Sequence, residues 1–273
     1  MDIQKKLAEE FPSVRADRVQ NIINLIDEGN TIPFIARYRK EMTGSCDDQV
    51  LREFNDRLIY LRNLEKRKEE VAKSITEQGK MTDEIARALD AAQTLTEVED
   101  IYRPYKQKKK TRASVAIERG LQGLADFILA QDKNADVLAE AGKYVDEEKG
   151  VSTAEDAIAG AKDIIAEIVS DDANVRKKLR NLFMKNGEIV TKLVNAEKEG
   201  AKTYEMYADY SENIAEIKSH RVLAVNRGEK EDFLKVKVQF NDEIAKRIAG
   251  ASYLKDGGYS TQLVQEAVED GYD

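Results

Sequence analysis

The sequence predicts a mainly α protein, and three observations lead there. Only three prolines interrupt 273 residues, tryptophan is absent and 35% of the residues are charged. Apolar residues recur every three or four positions over most of the chain, the spacing of one helix face. The hydrophobic fraction of 41% suffices for a core, so wholesale disorder is not expected. The length suits two compact units or one large elongated one. The reading adopted is an elongated multi-helix scaffold with an inserted helix-turn-helix unit and a small β-hairpin.

Ile3, Leu7 and Phe11 recur at helical spacing before Pro12. Ser13 then stands as an N-cap, Val19, Ile22, Ile23 and Ile26 form the next stripe, and Gly29-Asn30 ends it. From Asp47 to about Gln78 the pattern is one long amphipathic helix, roughly 48 Å at 1.5 Å per residue. Its apolar face comprises Leu51, Phe54, Leu58 and Leu61, then Val71 and Ile75, with a charged middle over 62–70 that reads as solvated. Pattern alone supports a strut and a bundle helix equally. Met81-Thr82-Asp83-Glu84 opens a further helix with Ile85, Ala88 and Leu89 inward. Thr96 and Glu99 match a capping box ahead of Ile101, and Pro104 ends that helix.

Beyond Ala113 the chain becomes richer in alanine. Short helices are predicted over 121–130, 135–144, 154–169 and 175–185, with Ser152-Thr153-Ala154-Glu155 capping the third and Asp171-Asp172-Ala173-Asn174 breaking the chain before the fourth. Gly187 stops the fourth, and Ile189, Val190, Leu193 and Val194 favour a strand. Helices followed by a strand suit a helix-turn-helix with a wing, or a plain helical subdomain. Strands are predicted over 222–225 and 233–240, with Arg227-Gly228-Glu229 as the hairpin turn. Helix returns over 244–249 and 262–268. The expected division is 1–112, an N-terminal helical scaffold; 113–198, the helix-turn-helix-like unit; and 199–273, the hairpin and a return to the scaffold.

Composition narrows the chemistry. Cys46 and His220 are single, so there is no intramolecular disulfide, no Cys/His zinc set and no surroundings for a Ser–His or Cys–His nucleophile. Gly250 and Gly257-Gly258 lack the lysine and spacing of a phosphate loop. The acidic clusters Asp146-Glu147-Glu148 and Asp171-Asp172 read as helix-end charges. No catalytic residue, cofactor or metal is expected. No run of about eighteen apolar residues occurs, and the N-terminus has no apolar signal core. A soluble, cytoplasmic, monomeric protein without membrane contact is expected.

Net charge is −8, which argues against a globally basic nucleic-acid coat but not against a local patch. Arg103, Lys106, Lys108, Lys109, Lys110 and Arg112 form a run without an acidic residue, interleaved with Tyr102 and Tyr105. Such a run suits phosphate contact with base stacking, or a solvated loop. The helix over 175–185 carries Arg176, Lys177, Lys178, Arg180 and Lys185, with Val175, Leu179, Leu182 and Phe183 on its buried face; it suits a recognition helix or an ordinary charged surface. Arg37, Arg39 and Lys40 suit phosphate contact or internal ion pairing, and their place beside Pro33, Phe34 and Ile35 favours the second.

Three segments then carry a family resemblance. They are Thr31-Ile32-Pro33-Phe34-Ile35-Ala36-Arg37-Tyr38-Arg39-Lys40-Glu41-Met42-Thr43-Gly44, Val98-Glu99-Asp100-Ile101-Tyr102-Arg103-Pro104-Tyr105-Lys106-Gln107-Lys108-Lys109-Lys110-Thr111-Arg112, and Ser219-His220-Arg221-Val222-Leu223-Ala224-Val225-Asn226-Arg227-Gly228-Glu229-Lys230-Glu231. Their order and spacing resemble the Tex family of bacterial transcription accessory proteins, and the resemblance runs from about residue 11 to 272. It implies that longer members carry a nuclease-like domain of RNase H type, helix-hairpin-helix units and a C-terminal S1 domain after this region. The chain is therefore expected to be an N-terminal fragment. The resemblance also implies that the S1 domain is the main nucleic-acid binder. This region would be a discontinuous scaffold around a helix-turn-helix unit, similar to the core of a eukaryotic transcription elongation factor. The functional expectation is a non-enzymatic scaffold that binds nucleic acid weakly through backbone phosphates and serves the transcription machinery; a protein-interaction adaptor is the alternative.

Overall fold

Leu51, Phe54, Leu58 and Leu61 do line one face of a single long helix, Asp48–Glu77. The computed structural model describes residues 2–106, 109–256 and 258–273 and divides into two units, Met1–Tyr105 and Lys106–Asp273. The fold is mainly α with one small sheet.

The first unit contains α1 (Ile3–Glu10), α2 (Ala16–Asp27), α3 (Ile32–Tyr38), α4 (Lys40–Thr43), α5 (Asp48–Glu77), α6 (Asp83–Ala91), α7 (Leu95–Tyr102) and a 3-10 turn, Arg103–Tyr105. The Asp47 carboxylate caps α5 by accepting from the Val50 amide at 2.9 Å. The N-terminal half of α5 packs its apolar face into a core with Leu7, Val19, Ile22, Leu25 and Ile35. Its C-terminal half brings Leu64, Val71 and Ile75 against Leu89, Ala92 and Val98. The middle of α5 is therefore not simply solvated. Leu64 is fully buried and Lys68 nearly so, because the 3.6-residue period carries both onto the inner face. The Lys68 ammonium is satisfied by the Asp90 carbonyl at 3.0 Å and the Glu65 carboxylate at 3.1 Å. On the flanks, Arg57 grips Glu10 at 2.6 and 2.7 Å, Arg62 grips Asp27 at 2.6 and 2.8 Å, and Arg67 reaches Glu99 at 2.6 Å. These pairs hold α1, α2 and α7 to the one helix.

Two expected caps shift. Ser13 lies in a turn, and α2 begins at Ala16 without a side-chain cap; Val14 next to it is buried. Helix α7 is capped by Thr94, whose hydroxyl accepts from the Glu97 amide at 3.2 Å, while Glu97 accepts from the Gln93 amide at 2.7 Å. The expected Thr96–Glu99 box does not form, because the helix starts at Leu95 and Thr96 lies inside it; Glu99 pairs with Arg67 instead.

The second unit contains α8 (Arg112–Glu118), α9 (Gln122–Ala130), α10 (Val137–Gly142), α11 (Ala154–Asp171), α12 (Ala173–Asn186), β1 (Glu188–Leu193), a 3-10 segment (Ala201–Tyr207), β2 (Asp209–Asn213), α13 (Ser219–Lys230), β3 (Leu234–Gln239), α14 (Asp242–Gly250) and α15 (Tyr259–Tyr272). Helix α11 is its centre. Thr153 and Asp156 form the capping box at its start, and α8, α9, α10 and α15 pack around it. That encirclement explains the alanine-rich texture, since small side chains let neighbouring helices approach. Gly160 faces Leu121 so closely that a Cβ would lie 2.4 Å from its Cδ1, and a Cβ on Gly271 of α15 would lie 2.5 Å from the Ala166 carbonyl oxygen. The C-terminal segment thus packs against 113–198, with α15 on α11 and β3 on β1.

The expected hairpin is replaced by a three-stranded antiparallel sheet, ordered β2-β1-β3. The residues predicted as its first strand, 222–225, lie in helix α13. A four-residue apolar run does not distinguish strand from helix. Gly228, read as a turn, sits inside α13, and a Cβ there would meet Leu234 Cδ1 at 2.6 Å and Tyr204 Cδ1 at 2.9 Å. It marks close packing of α13 on the sheet. Chain reversal falls instead at Asp232, with φ +58°. Tyr204 stacks on Phe233 at 5.1 Å in the small core beneath.

Leu58→Ala should cost about 2–5 kcal/mol in urea denaturation, as a buried leucine leaves a cavity. Arg62→Ala, which loses a half-exposed pair, should cost no more than about 1 kcal/mol. Equal losses would contradict the phase of α5.

Gly271→Ala provides a test of sign. Helix propensity alone favours alanine by about 1 kcal/mol, whereas the contact with the α11 backbone opposes it. A net loss of stability is expected; a gain would show that α11 and α15 yield to the extra methyl.

Candidate nucleic-acid interface

The basic residues named from sequence have three different fates. Arg103 is exposed in the 3-10 turn that follows α7, and Lys106, Lys109 and Lys110 are exposed further along the chain. Lys108 lies outside the described residues. Among the described residues Lys110 has a remote partner, Glu118 at 3.9 Å, with both side chains about seventy percent exposed. Arg112 differs. It is the first residue of α8, behind a Thr111–Ser114 capping box. Its guanidinium donates to Asp270 at 2.5 Å and lies 3.3 Å from Asp163. Arg112 therefore joins α8 to α11 and α15, and its charge is already met by two carboxylates. Burial holds the Asp163 carboxyl above the usual carboxylate range, although Arg112 pulls it down.

Helix α12 presents a mixed face. Val175 is buried and Leu179, Leu182 and Phe183 are half-buried, as the spacing predicts. Lys177, Lys178 and Lys185 are exposed. Arg176 and Arg180 are half-buried rather than outward, and Arg176 donates to the Ser170 carbonyl at 3.3 Å. Lys178 donates to the Ser252 hydroxyl at 3.3 Å. The helix start is fixed by Asp172, which caps α12 and accepts from Tyr253 at 2.6 Å; burial together with that bond raises the Tyr253 phenol well above its ordinary value.

The third group, Arg37, Arg39 and Lys40, is exposed on α3 and α4. Among the described residues the expected bracing does not take the form of ion pairs there. Arg39 instead lies over the Phe34 ring at 5.1 Å and donates to the Tyr38 carbonyl at 3.2 Å. Ile35 is the buried anchor of this segment, and Tyr38 is 60% exposed.

One basic constellation escaped the sequence reading. Lys192 on β1 and Lys235 and Lys237 on β3, with Val190 and Gln239, line a cavity of about 350 Å³ on one face of the sheet. The signal was the alternation Lys235-Val236-Lys237-Val238, which sends alternate side chains to opposite faces. Among the described residues no group of three or more His, Cys, Asp or Glu side chains could hold a metal ion, and no helix is long and apolar enough to cross a membrane.

Comparison with known proteins bears on this arrangement. Residues 1–76 match the Tex-like protein N-terminal domain, and residues 132–269 match the Tex central region-like model. The chain belongs to the Tex family. It is 44% identical over 272 residues to the uncharacterized protein YdcI of Bacillus subtilis, covering 99% of this chain and 38% of that protein. It is 40% identical over 243 residues to the transcriptional accessory protein Tex of Neisseria gonorrhoeae, covering 89% of this chain and 32% of the other. The human S1 RNA-binding domain-containing protein 1 is 35% identical over 82% of this chain and 23% of its own length. The chain thus spans well under half the length of these relatives.

The Arg112 brace generates a prediction with a definite pH dependence. The Asp163 pKa is raised, so its stabilising contribution is present below the unfolded carboxylate value of about 3.9 and lost as pH rises through the folded value. Removing Arg112 takes away the opposing pull and raises it further. Arg112→Gln should match the parent near the acid end and fall below it toward neutrality, by up to about 1 kcal/mol. A gap that is constant with pH in chemical denaturation would exclude this coupling.

Proposed function

We propose that this Tex-family chain is a non-enzymatic scaffold region of a transcription accessory protein, with weak, sequence-independent affinity for nucleic acid. The observation that carries the reading is the exposure of Lys106, Lys109 and Lys110 in a run without an acidic residue, on a chain whose net charge is −8. Lysines at such positions neutralise phosphates and release counterions, and they position a strand without reading its sequence. The helix-turn-helix reading of α11 and α12 belongs to the same proposal, with Lys177, Lys178 and Lys185 on the exposed face and Arg176 and Arg180 set deeper. The names of the relatives support it: one is a transcriptional accessory protein and another an S1 RNA-binding domain-containing protein. A monomer in the cytoplasm, working beside the transcription machinery and without cofactor or metal, completes the proposal.

A second reading, a protein-interaction adaptor, is favoured by one specific feature. Tyr38 and Met42 are exposed within the same short segment as the exposed Arg37 and Arg39, and tyrosine and arginine are enriched where proteins meet.

Titration of labelled single- and double-stranded DNA and RNA at several salt concentrations separates the two. Weak binding with a steep salt slope is expected for all of them. Replacing Lys109 and Lys110 with alanine should flatten the log–log slope by about 1.4 for single strands, at 0.7 per contact, without lowering the thermal midpoint. Unchanged binding would remove the loop from the interface, and no binding by the parent would give the adaptor reading the lead.

A further inference from the structure

The geometry points to a phosphate-binding cradle on the open face of the three-stranded sheet, built by Lys192, Lys235 and Lys237. The sheet has unequal faces. One is closed by a small core in which Leu234, Phe233 and Tyr204 are buried, with Thr191 of β1 fully buried. The other carries the cavity described above, with Val190 in its lining and Lys192, Lys235 and Lys237 exposed around it. The pairing register sets Lys192 directly opposite Lys235 and Val190 directly opposite Lys237. Opposed residues in an antiparallel pair have Cβ atoms about 5 Å apart, and like charges there repel. The fold thus maintains a cation pair across two strands, with a third cation two residues along β3.

Two ordinary explanations cover only part of this. Lysines on an edge strand prevent pairing with another chain, which accounts for Lys235 and Lys237 on β3 but not for Lys192 on the central strand. Internal neutralisation is weak, since none of the three lysines is in an ion pair among the described residues. Two acids share this face, Asp209 on β2 and Glu188 on β1 opposite Gln239. Asp209 is the cross-strand neighbour of Lys192, and Glu188 is engaged by the Ser211 hydroxyl at 2.9 Å. The β3 side, where Gln239 adds an amide donor, is left as a concave group of hydrogen-bond donors. A group with several acceptor oxygens and at least one negative charge suits it, and phosphate is the common biological one.

Two sources share that chemistry, a nucleic-acid backbone and a free polyphosphate. The cradle rests on the nucleic-acid reading above for the first, and it gives that reading a specific surface. The sheet is short, so two or three phosphates of one strand would be engaged.

The test combines lysine acetylation footprinting with binding, on the full 273-residue chain. Single-stranded oligothymidylate is one probe and tripolyphosphate the other. A variant with Lys192, Lys235 and Lys237 all replaced by alanine is compared with one carrying Lys66→Ala, Lys73→Ala and Lys80→Ala, which removes the same charge from exposed positions elsewhere. Both probes should protect the three sheet lysines. The cradle variant should lose at least about tenfold in low-salt affinity and flatten the salt slope by about 2, with the control close to the parent. The thermal midpoint of the cradle variant should be unchanged or higher, because a repulsive cross-strand pair is removed; that result also shows that it is folded. Protection by tripolyphosphate in a parent that binds no oligonucleotide would keep the cradle and sink the nucleic-acid reading. Oligonucleotide binding without protection, and with equal losses in both triple variants, would overturn the cradle and leave that reading standing. Absence of both kinds of binding would overturn both.

Discussion

One-sided burial along α5 is the constraint on which the first unit depends. Thirty residues of helix present a continuous inner stripe from Leu51 to Ile75, and two apolar clusters share it. Helices in proteins draw most of their stability from packing of an amphipathic face rather than from propensity, and α5 draws its own from the elements it gathers. The three arginines on its flanks add orientation more than energy, because exposed pairs contribute little. Lys68 shows how strict the stripe is. The helical period carries a lysine into the interior, where a carbonyl and a carboxylate must receive it.

The second unit depends on a different device. Helix α11 is surrounded, so its surface is built of Ala157, Gly160, Ala161 and Ala166 as well as large apolar residues. Close approach takes the place of large side chains, and Gly160 and Gly271 mark where backbones or branched side chains meet. This contact also makes Arg112 structural. Once α8 and α15 both lie against α11, Asp163 and Asp270 converge on the position of the guanidinium.

The function proposed for this chain rests on charge placed on its surface. The family supplies the setting, transcription accessory proteins far longer than this region. The structure distinguishes basic residues that are engaged by other groups of the chain, such as Arg112 with Asp270 and Asp163 and Arg176 with the Ser170 carbonyl, from exposed ones such as Lys109 and the sheet lysines. A long-range field from a net charge of −8 disfavours a polyanion, so any binding must come from short-range contacts at such surfaces.

The sequence by itself determined the helical class, the long helix, most helix positions in the alanine-rich region and the family, because amphipathic period, capping residues and the three signature segments are local in the chain. It also showed that 103–112 is basic. Only the tertiary structure decided which of those bases are engaged, since Asp270 lies 158 residues from Arg112 and no local pattern reports that meeting. The same holds for residues 222–225, where a short apolar run fits either period and packing of Gly228 against Leu234 selects helix. It holds equally for the cradle: Lys192 and Lys235 are 43 residues apart, and it is the β1–β3 register that makes them neighbours.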